Sequence, residues 1–388
     1  MVRSVTAGTG RHELHIGVTG KIGLLLAIVS RYRHGVTHRR LGHRGQEMTT
    51  EIKGIRAQAH LHHAYFLGLQ LMVSTRKGTD VVGEWIFRLF RRQHTEKFLS
   101  SFEKLGLSDL PDAMACAQYH VLSNNMGGVG VEYMPEHDRK AWVRFRYPRW
   151  MYDGPTICGV PIEVSRGFLQ GWYAHNGVSL NNPRLGFVCV SEDMTGEFGF
   201  CGYFREYEYE LRPEERLRFA KDEVPPSFDP KYQPQPPADQ WDELRLQKAN
   251  RNYALEYIRN GLCELAGVIG VAETLELGGL AAKLIGLQYF AETAAMVDAR
   301  DGDIADAGTY LARMFAGMGD TVHVGSDPSV LEHRGLRIIR GIDEGESELV
   351  LRCWIELWKG ELQSHQVRLQ LDADVQPDCV IWRIVLAN

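Results

Sequence analysis

Residues 168–172 read Phe168-Leu-Gln-Gly-Trp172, and residues 350–354 read Val350-Leu-Arg-Cys-Trp354. Both segments lie in stretches whose apolar residues recur at helical spacing. Both are followed by a short strand-like segment that begins with Arg-Leu. A switch from helical to alternating spacing indicates helices followed by strands. Because the same order occurs twice in one chain, the sequence predicts two similar units.

Other paired signals support the duplication. Before the Trp segment, each half has an Asp-Ala helix start and a Met-Gly turn, and each half ends in a strand that contains a cysteine. The pairs are Asp112 with Asp306, Met126 with Met318, Arg184 with Arg368, and Cys201 with Cys379. We therefore predict an α+β fold of two tandem similar domains, each a helical layer packed on a small antiparallel sheet.

The domain boundaries follow from composition. Residues 48–222 form the first predicted domain, and residues 244–388 form the second. Residues 223–243 are a proline-rich linker, since residues 224–239 hold six of the 15 prolines and almost no apolar periodicity. The length of 388 residues suits two domains of ordinary size.

Residues 1–47 differ from the rest of the chain. They carry eight Lys or Arg residues, two Glu residues and five of the 15 histidines, so the remaining chain has a formal charge of −11 although the whole chain has −5. The apolar run Ile22–Val29 is too short to span a bilayer. We expect this basic extension to lie outside the fold, with Met48 as the initiator; a disordered arm and a targeting peptide are the alternatives.

Composition excludes several classes of protein. The negative charge and the absence of a Lys/Arg run with interleaved aromatics argue against nucleic-acid binding, and no segment predicts a membrane span. Seven scattered cysteines without a CxxC pair indicate reduced thiols and a cytoplasmic location. The expected partner is a small molecule, and a homo-oligomer is compatible with the sequence.

The end of the first half carries a family resemblance. Gly196-Glu-Phe-Gly-Phe-Cys201-Gly-Tyr-Phe204, after helices and a helix with a central Trp, resembles the four-vinyl-reductase domain and the related L-2-amino-thiazoline-4-carboxylic acid hydrolase-like family. The resemblance covers about 80 residues at the end of each half. It implies a ligand pocket between sheet and helices, and a hydrolase, pigment-synthesis protein or aromatic-compound sensor.

The zinc pattern of the sensor members is altered in this chain. That pattern is Glu-x-x-Cys-x7-Cys, whereas here eleven residues separate Cys189 from Cys201 and Glu192 follows Cys189. A tetrahedral site needs four converging donors, and His175 is the only other donor in this order. We therefore expect no cofactor, with zinc as the alternative.

A comparison of the two halves selects candidate site residues. Trp172 is kept as Trp354, but His175 corresponds to Leu357 and Asn176 to Trp358. Because the second copy packs with apolar residues there, the polar pair predicts a site in the first half. The alternative is a helix C-terminus in which His175 and Asn176 face solvent before Gly177.

The predicted reaction is hydrolysis or a lyase reaction on an aromatic or heterocyclic compound. His175 or Glu192 is the predicted base, and Cys201 or Tyr203 the assisting group. The predicted substrate-binding residues are Trp150, Trp172, Asn176, His120 and Arg205.

Three other interpretations remain open at this level. His120 lies one turn after Cys116, so the two could form a thiolate–imidazolium pair, although Cys116 in Ala-Met-Ala-Cys-Ala also reads as inert core. The whole protein could also be a non-catalytic small-molecule binder, or a duplicated structural protein. An enzyme predicts that His175, Asn176 and Glu192 converge on a cavity, whereas a binder predicts an aromatic pocket without a titratable pair.

Overall fold

The computed structural model describes residues 50–147, 149–235 and 242–387, with the side chain of Trp150 excepted. The predicted basic extension and the Met48 start lie outside the described residues, as does part of the predicted linker. No helix in the described residues is long and apolar enough to cross a membrane.

The first unit consists of helices followed by a five-stranded sheet. Its helices are α1 (Thr50–Lys77), α2 (Thr79–Lys104), α3 (Asp112–Met126), α4 (Ile162–Gly171) and the short α5 (Asn176–Ser179). Its strands are β1 (Val131–His137), β2 (Lys140–Phe145), β3 (Leu185–Ser191), β4 (Cys201–Glu206) and β5 (Leu217–Phe219). Short 3-10 turns at Trp150–Tyr152, Gly154–Cys158 and Tyr173–His175 connect β2 to α4 and α4 to α5.

The second unit repeats this order with fewer helices and strands. Its helices are α6 (Glu243–Ile269), α7 (Val271–Met296), α8 (Ile304–Gly317) and α9 (Glu344–His365). Its strands are β6 (Thr321–Val324), β7 (Val330–Arg334), β8 (Leu369–Gln376) and β9 (Cys379–Leu386). Asp242, Asp303 and Asp343 cap α6, α8 and α9 by accepting backbone N–H hydrogen bonds, which explains where these helices begin.

The two sheets share one strand order. The first runs β1-β2-β4-β3-β5 and the second β6-β7-β9-β8, so the four common strands are arranged identically. The α+β fold with two helix-plus-sheet units is confirmed. The second sheet is antiparallel, as predicted, but the first is mixed because β5 pairs parallel to β3. The three residues of β5 were not predicted, since so short a segment has no measurable periodicity.

Matching strands begin at the residues paired in the sequence. Leu185 opens β3 and Leu369 opens β8, while Cys201 opens β4 and Cys379 opens β9. Cys201 lies opposite Arg144 and Cys379 lies opposite Arg334 in the neighbouring strand. The two sheets therefore also share a register.

The units differ most in the connection between their last two matched strands. In the second unit, two residues join β8 to β9, whereas nine residues (192–200) join β3 to β4 in the first. This insertion, which we call the 192–200 loop, brings two carboxylates into the interior.

Two segments differ from what their apolar residues alone indicate. Residues 336–340, although rich in Leu and Ile, form a 3-10 turn (Arg337–Ile339), and the strand lies earlier, at Val330–Arg334. The helix that contains Phe168 ends at Gly171, where an added Cβ would lie 2.6 Å from the carbonyl oxygen of Phe87. This close approach to α2 is compatible only with glycine, and the chain then turns beneath the sheet.

One hydrophobic core runs through both units. The Tyr65 hydroxyl of α1 donates to the Gly278 carbonyl of α7 at 2.9 Å, and the Gln58 amide donates to the Met314 carbonyl of α8 at 2.6 Å. In the other direction, the Trp85 indole of α2 donates to the Gly261 carbonyl of α6 at 2.7 Å. The first helix of each unit therefore packs on helices of the other.

Candidate functional site

His120 is the centre of a stacked aromatic group. It lies on α3, is 2% exposed, and stacks against Tyr173 at 3.9 Å and 11° and against Phe204 of β4 at 5.4 Å and 7°. Asn176 Nδ2 donates to His120 Nε2 at 3.1 Å, so the neutral ring carries its proton on Nδ1. Burial lowers the pKa of His120 well below its ordinary value, and the imidazole is neutral.

Cys116 does not form the thiolate–imidazolium pair considered above. The thiol is fully buried, burial raises its pKa well above the ordinary value, and the only opposing contribution is a hydrogen bond from Asn176. A thiol with a raised pKa next to a histidine with a lowered one gives two neutral groups. Cys116, Asn176 and His120 form a neutral polar contact inside an aromatic core.

In the second unit, Phe315 and Trp358 take the place of the polar pair. Trp382 occupies on β9 the position that Phe204 occupies on β4, counting from the paired cysteines. Phe315 of α8 stacks on Trp382 at 5.1 Å, as His120 stacks on Phe204, and Phe315 contacts Trp358 at 4.8 Å. The pair His120–Asn176 thus corresponds to the pair Phe315–Trp358. The second unit also buries a histidine here, since His333 stacks on Phe315 at 4.4 Å and pairs with Asp320 at 3.0 Å. The feature particular to the first unit is the direct His120–Asn176 contact.

A cavity of about 50 Å³ lies against this group, between α2, α3, α4 and α6. We call it the inner cavity. Its walls are mostly aromatic and include Phe90, Tyr119, His120, Trp172, Tyr253 and Tyr257. Trp172 is 9% exposed, and its indole N–H has no hydrogen-bond partner among the described residues. An unpaired buried donor in a cavity wall is a group that a ligand or a water can satisfy.

A second cavity of about 310 Å³ adjoins the first, and we call it the outer cavity. Gly127, Val129 and Asn250 line both cavities, so the two cavities share a wall. The remaining walls come from α1, α7 and the turn after β2, and include Arg56, His60, His63, Asp153 and Tyr289. The combined space lies where helices of the two units meet.

The polar groups of the outer cavity are organised by neighbouring helices. His63 Nε2 donates to Asn250 Oδ1 at 3.0 Å, and burial lowers the pKa of His63 to about 4. His60 Nε2 lies 2.9 Å from Glu292, and Arg56 pairs with Glu243 at 2.6 Å. Asp153 is exposed at the rim, and no ion pair of Asp153 occurs within the described part of the chain.

His175 lies away from both cavities. Its ring packs edge-on against His94 at 5.2 Å. Burial lowers its pKa to about 4, and the positive charges of Arg91 and Arg216 act in the same direction. A half-buried, neutral histidine in this place packs against the α2 surface and does not reach the aromatic cavity.

Glu192 and Asp193 are buried by the 192–200 loop. The Glu192 side chain is 0% exposed and lies beneath Arg166 at 3.3 Å and Lys221 at 3.6 Å. Asp193 Oδ2 accepts a hydrogen bond from Arg149 at 2.5 Å, and this guanidinium is enclosed by the rings of Phe145, Tyr152 and Phe200. Both carboxylates therefore have cationic partners that hold the loop on the sheet.

Cys201 and Tyr203 face the opposite side of the sheet from His120. They belong to a small separate cluster with Met134, Trp142 and Val188. Burial raises the pKa of Cys201 to about 12, and the Tyr203 hydroxyl donates to Glu223 at 2.9 Å. Since side chains alternate along β4, Phe204 points to the helices while its neighbours point away.

Two residues predicted to bind substrate, Arg205 and Trp150, remain to be placed. Arg205 is exposed and stacks on Tyr207 at 4.8 Å. Trp150 lies in a 3-10 turn, and its side chain is outside the described part of the structure.

The structure brings together His120, Trp172 and Asn176, but of the four residues predicted to be catalytic only Cys201 and Tyr203 share a cluster, and His175 lies apart from it. The predicted convergence of His175, Asn176 and Glu192 on one cavity is not observed. Sequence reasoning missed Asn250, Tyr253 and Tyr257, which line the inner cavity from α6. Their spacing at i, i+3 and i+7 places them on one helical face and was the available signal.

No three His, Cys, Asp or Glu side chains within residues 50–147, 149–235 and 242–387 converge in a way that could hold a metal ion. Cys189 packs in the main core and Cys201 in the cluster on the other face, so they do not form the pair that a zinc site would need.

No family model, curated protein or solved structure matches this chain. The resemblance to the four-vinyl-reductase domain stays a prediction from short motifs.

Proposed function

We propose that this protein binds a small aromatic or heterocyclic molecule in the outer cavity, with one end directed into the adjoining inner cavity. The observation that carries the proposal is an outer cavity of about 310 Å³ beside an aromatic wall that holds the Trp172 indole N–H, a buried donor without a partner among the described residues. Small-molecule sites are typically concave and apolar, with a few converging polar groups.

The dimensions support a ligand of modest size. Ligand pockets measure roughly 300–1,000 Å³, and the outer cavity alone provides about 310 Å³. The inner cavity adds about 50 Å³, which is room for a substituent. Aromatic walls favour a flat molecule, because stacked and edge-to-face contacts add to the burial of apolar area.

Binding without catalysis agrees better with the geometry than hydrolysis does. The residues predicted to be catalytic lie apart, and His120 and Cys116 are neutral and buried. A hydrolase or lyase reaction is the second candidate, because Asp153 and His60 are titratable and reach the outer cavity from the solvent side. In that case these two residues would act as acid and base.

Ligand-observed NMR with the full chain and a set of neutral, cationic and anionic aromatic fragments tests the proposal. We expect a subset to bind, and we expect Val129→Phe to abolish that binding because Val129 lines both cavities. Val375→Phe is the matched control, since this exposed valine lies on β8 of the second sheet and lines neither cavity. Unaltered binding in a folded Val129→Phe variant would overturn the proposal, as would the absence of any binding fragment. Chemical conversion of a bound fragment would favour the enzyme.

The redox state of the cysteines indicates the cellular compartment. All seven cysteines are free thiols in the structure. We infer that the protein works in a reducing compartment such as the cytoplasm. The absence of a nucleic-acid partner and the occurrence of a homo-oligomer stay predictions.

A further inference from the structure

One guanidinium (Arg56) and one carboxylate (Asp153) line the outer cavity, and two further carboxylates pair with its lining residues from outside. Arg56 contributes a positive charge that Glu243 offsets at 2.6 Å. Glu292 contacts His60 at 2.9 Å from a largely exposed position, and Asp153 adds a carboxylate at the rim. Among the described lining residues and their direct ion-pair partners, carboxylates therefore outnumber guanidinium and ammonium groups.

Tyr289 shows that the negative charges act on one wall. Its half-buried ring forms part of the outer cavity and lies edge-on to His60 at 5.3 Å. The pKa of its hydroxyl is raised by burial first and then by the negative charges of Glu292 and Asp153. Both carboxylates are thus close enough to act on this aromatic wall. A cation in the outer cavity would meet carboxylates and an aromatic face together.

The inner cavity supplies a second, independent requirement. Trp172 is more than nine-tenths buried, and within the described residues its indole N–H donates to nothing. A ligand in the outer cavity that displaces the shared wall at Val129 and Asn250 can place an acceptor atom or a π face against this N–H. The two cavities therefore differ in what they recognise: an aromatic or acceptor end inside, and a positively charged end outside.

We propose that the ligand of this site is an aromatic or heterocyclic amine, protonated at neutral pH, whose ammonium group is held at Asp153 and Tyr289. The inference rests on the proposed function and specifies its ligand class. Asp153 is the specificity-determining residue, because it is the lining carboxylate without an ion-pair partner among the described residues. An anionic ligand of the same shape is repelled by the same groups.

Three probes of equal ring and chain length separate charge from shape: phenethylamine, phenethyl alcohol and 3-phenylpropionate. Titrated into the full chain, they should bind in the order amine, alcohol, carboxylate. Asp153→Asn should weaken binding of the amine about threefold to fivefold, which is the range for an exposed charge pair. Binding of the alcohol should stay unchanged. Added salt should reduce the preference for the amine. The matched control is Asp109→Asn. Asp109 is an exposed carboxylate before α3, at the end of the helix away from the cavity, and its substitution should leave binding of all three probes unchanged.

The outcomes distinguish this inference from the proposed function. Equal binding of all three probes, or amine binding that Asp153→Asn leaves intact, overturns the amine specificity while the cavity stays a binding site. Binding of only neutral or anionic fragments has the same consequence. If no probe and no fragment binds, the proposed function fails together with the inference.

Discussion

At the scale of single residues, the His120–Asn176 contact is the clearest difference between the two units. A buried hydrogen bond adds little net stability. A buried donor or acceptor that loses its hydrogen-bond partner, however, lowers the free energy of unfolding by about 1–3 kcal/mol. The second unit solves the same packing problem with Phe315 and Trp358. Retention of the polar pair next to the inner cavity therefore suggests a role in positioning that wall.

A double-mutant cycle measures this contact. Asn176→Leu leaves His120 Nε2 without its donor, and His120→Phe leaves the Asn176 amide largely unpaired, so each single change should lower the free energy of unfolding by about 1–3 kcal/mol. The double variant should lose less than the sum, because both polar groups are removed together. Urea unfolding of the four proteins gives the coupling energy. Additive losses would show that the two residues do not depend on each other.

Glu361 provides a pH-dependent prediction in the second unit. It is fully buried, Tyr310 and Thr293 donate to its Oε2 at 2.5 and 3.1 Å, and burial raises its pKa from 4.5 to about 8. The folded state thus binds this proton more tightly than the unfolded state. The associated stability is present below about pH 4.5 and is lost as the pH rises towards 8.

The neutral variant Glu361→Gln removes this titration. Between pH 5 and pH 8, the stability of the natural protein should fall relative to the variant by on the order of 1 kcal/mol per pH unit. Chemical unfolding of both proteins across this range is the measurement, and the difference cancels the histidine contributions that they share. A difference that is constant with pH would contradict the assignment.

At the scale of elements, the 192–200 loop is held by a buried ion pair. The side chains of Arg149 and Asp193 are 4% and 2% exposed. Removing one member of a buried pair leaves the other charge uncompensated, which typically costs about 3–5 kcal/mol. The pair therefore anchors the 192–200 loop to the segment that follows β2.

Asp193→Asn tests this anchor, and thermal and urea unfolding measure the result. We expect a loss of about 3–5 kcal/mol. Glu208→Gln is the matched control, since Glu208 pairs with Arg139 in an exposed position and should contribute at most about 1 kcal/mol. Equal effects of the two substitutions would mean that burial does not strengthen the Arg149–Asp193 pair.

Elements with strong periodicity were predictable, and the side of the sheet that each residue faces was not. The capped helices α6, α8 and α9 and the strand β9 were evident in the sequence. Cys201, Tyr203 and Phe204 are adjacent in sequence, and only tertiary structure shows that Phe204 faces His120 while Cys201 and Tyr203 face away. Apolar residues on both faces of β4 conceal the alternation that would have shown this.

At the scale of the whole molecule, the two units share their helical layer. Tyr65 bonds to Gly278 and Trp85 to Gly261, so the first helix of each unit is held by the other unit. The inner and outer cavities form at this junction, with α6 of the second unit supplying Asn250, Tyr253 and Tyr257. Sequence comparison of the halves pointed to the first unit, but it could not show that the second unit completes the cavity.

Separation of the units tests this dependence. Residues 50–235 and residues 242–388, produced separately, should each lack cooperative thermal unfolding, because each would expose apolar helix faces that the other covers. Co-expression of the two pieces should restore a cooperative transition. A sharp, independent transition in residues 50–235 alone would show that the shared layer is not required for folding.

The most direct test of the central claim is a crystal structure of the full chain in complex with its tightest-binding aromatic fragment. We predict that the fragment occupies the outer cavity in contact with Asn250 and reaches the Trp172 indole N–H in the inner cavity. A fragment bound at any other place, with the space between α3 and α6 filled by side chains, would contradict the account.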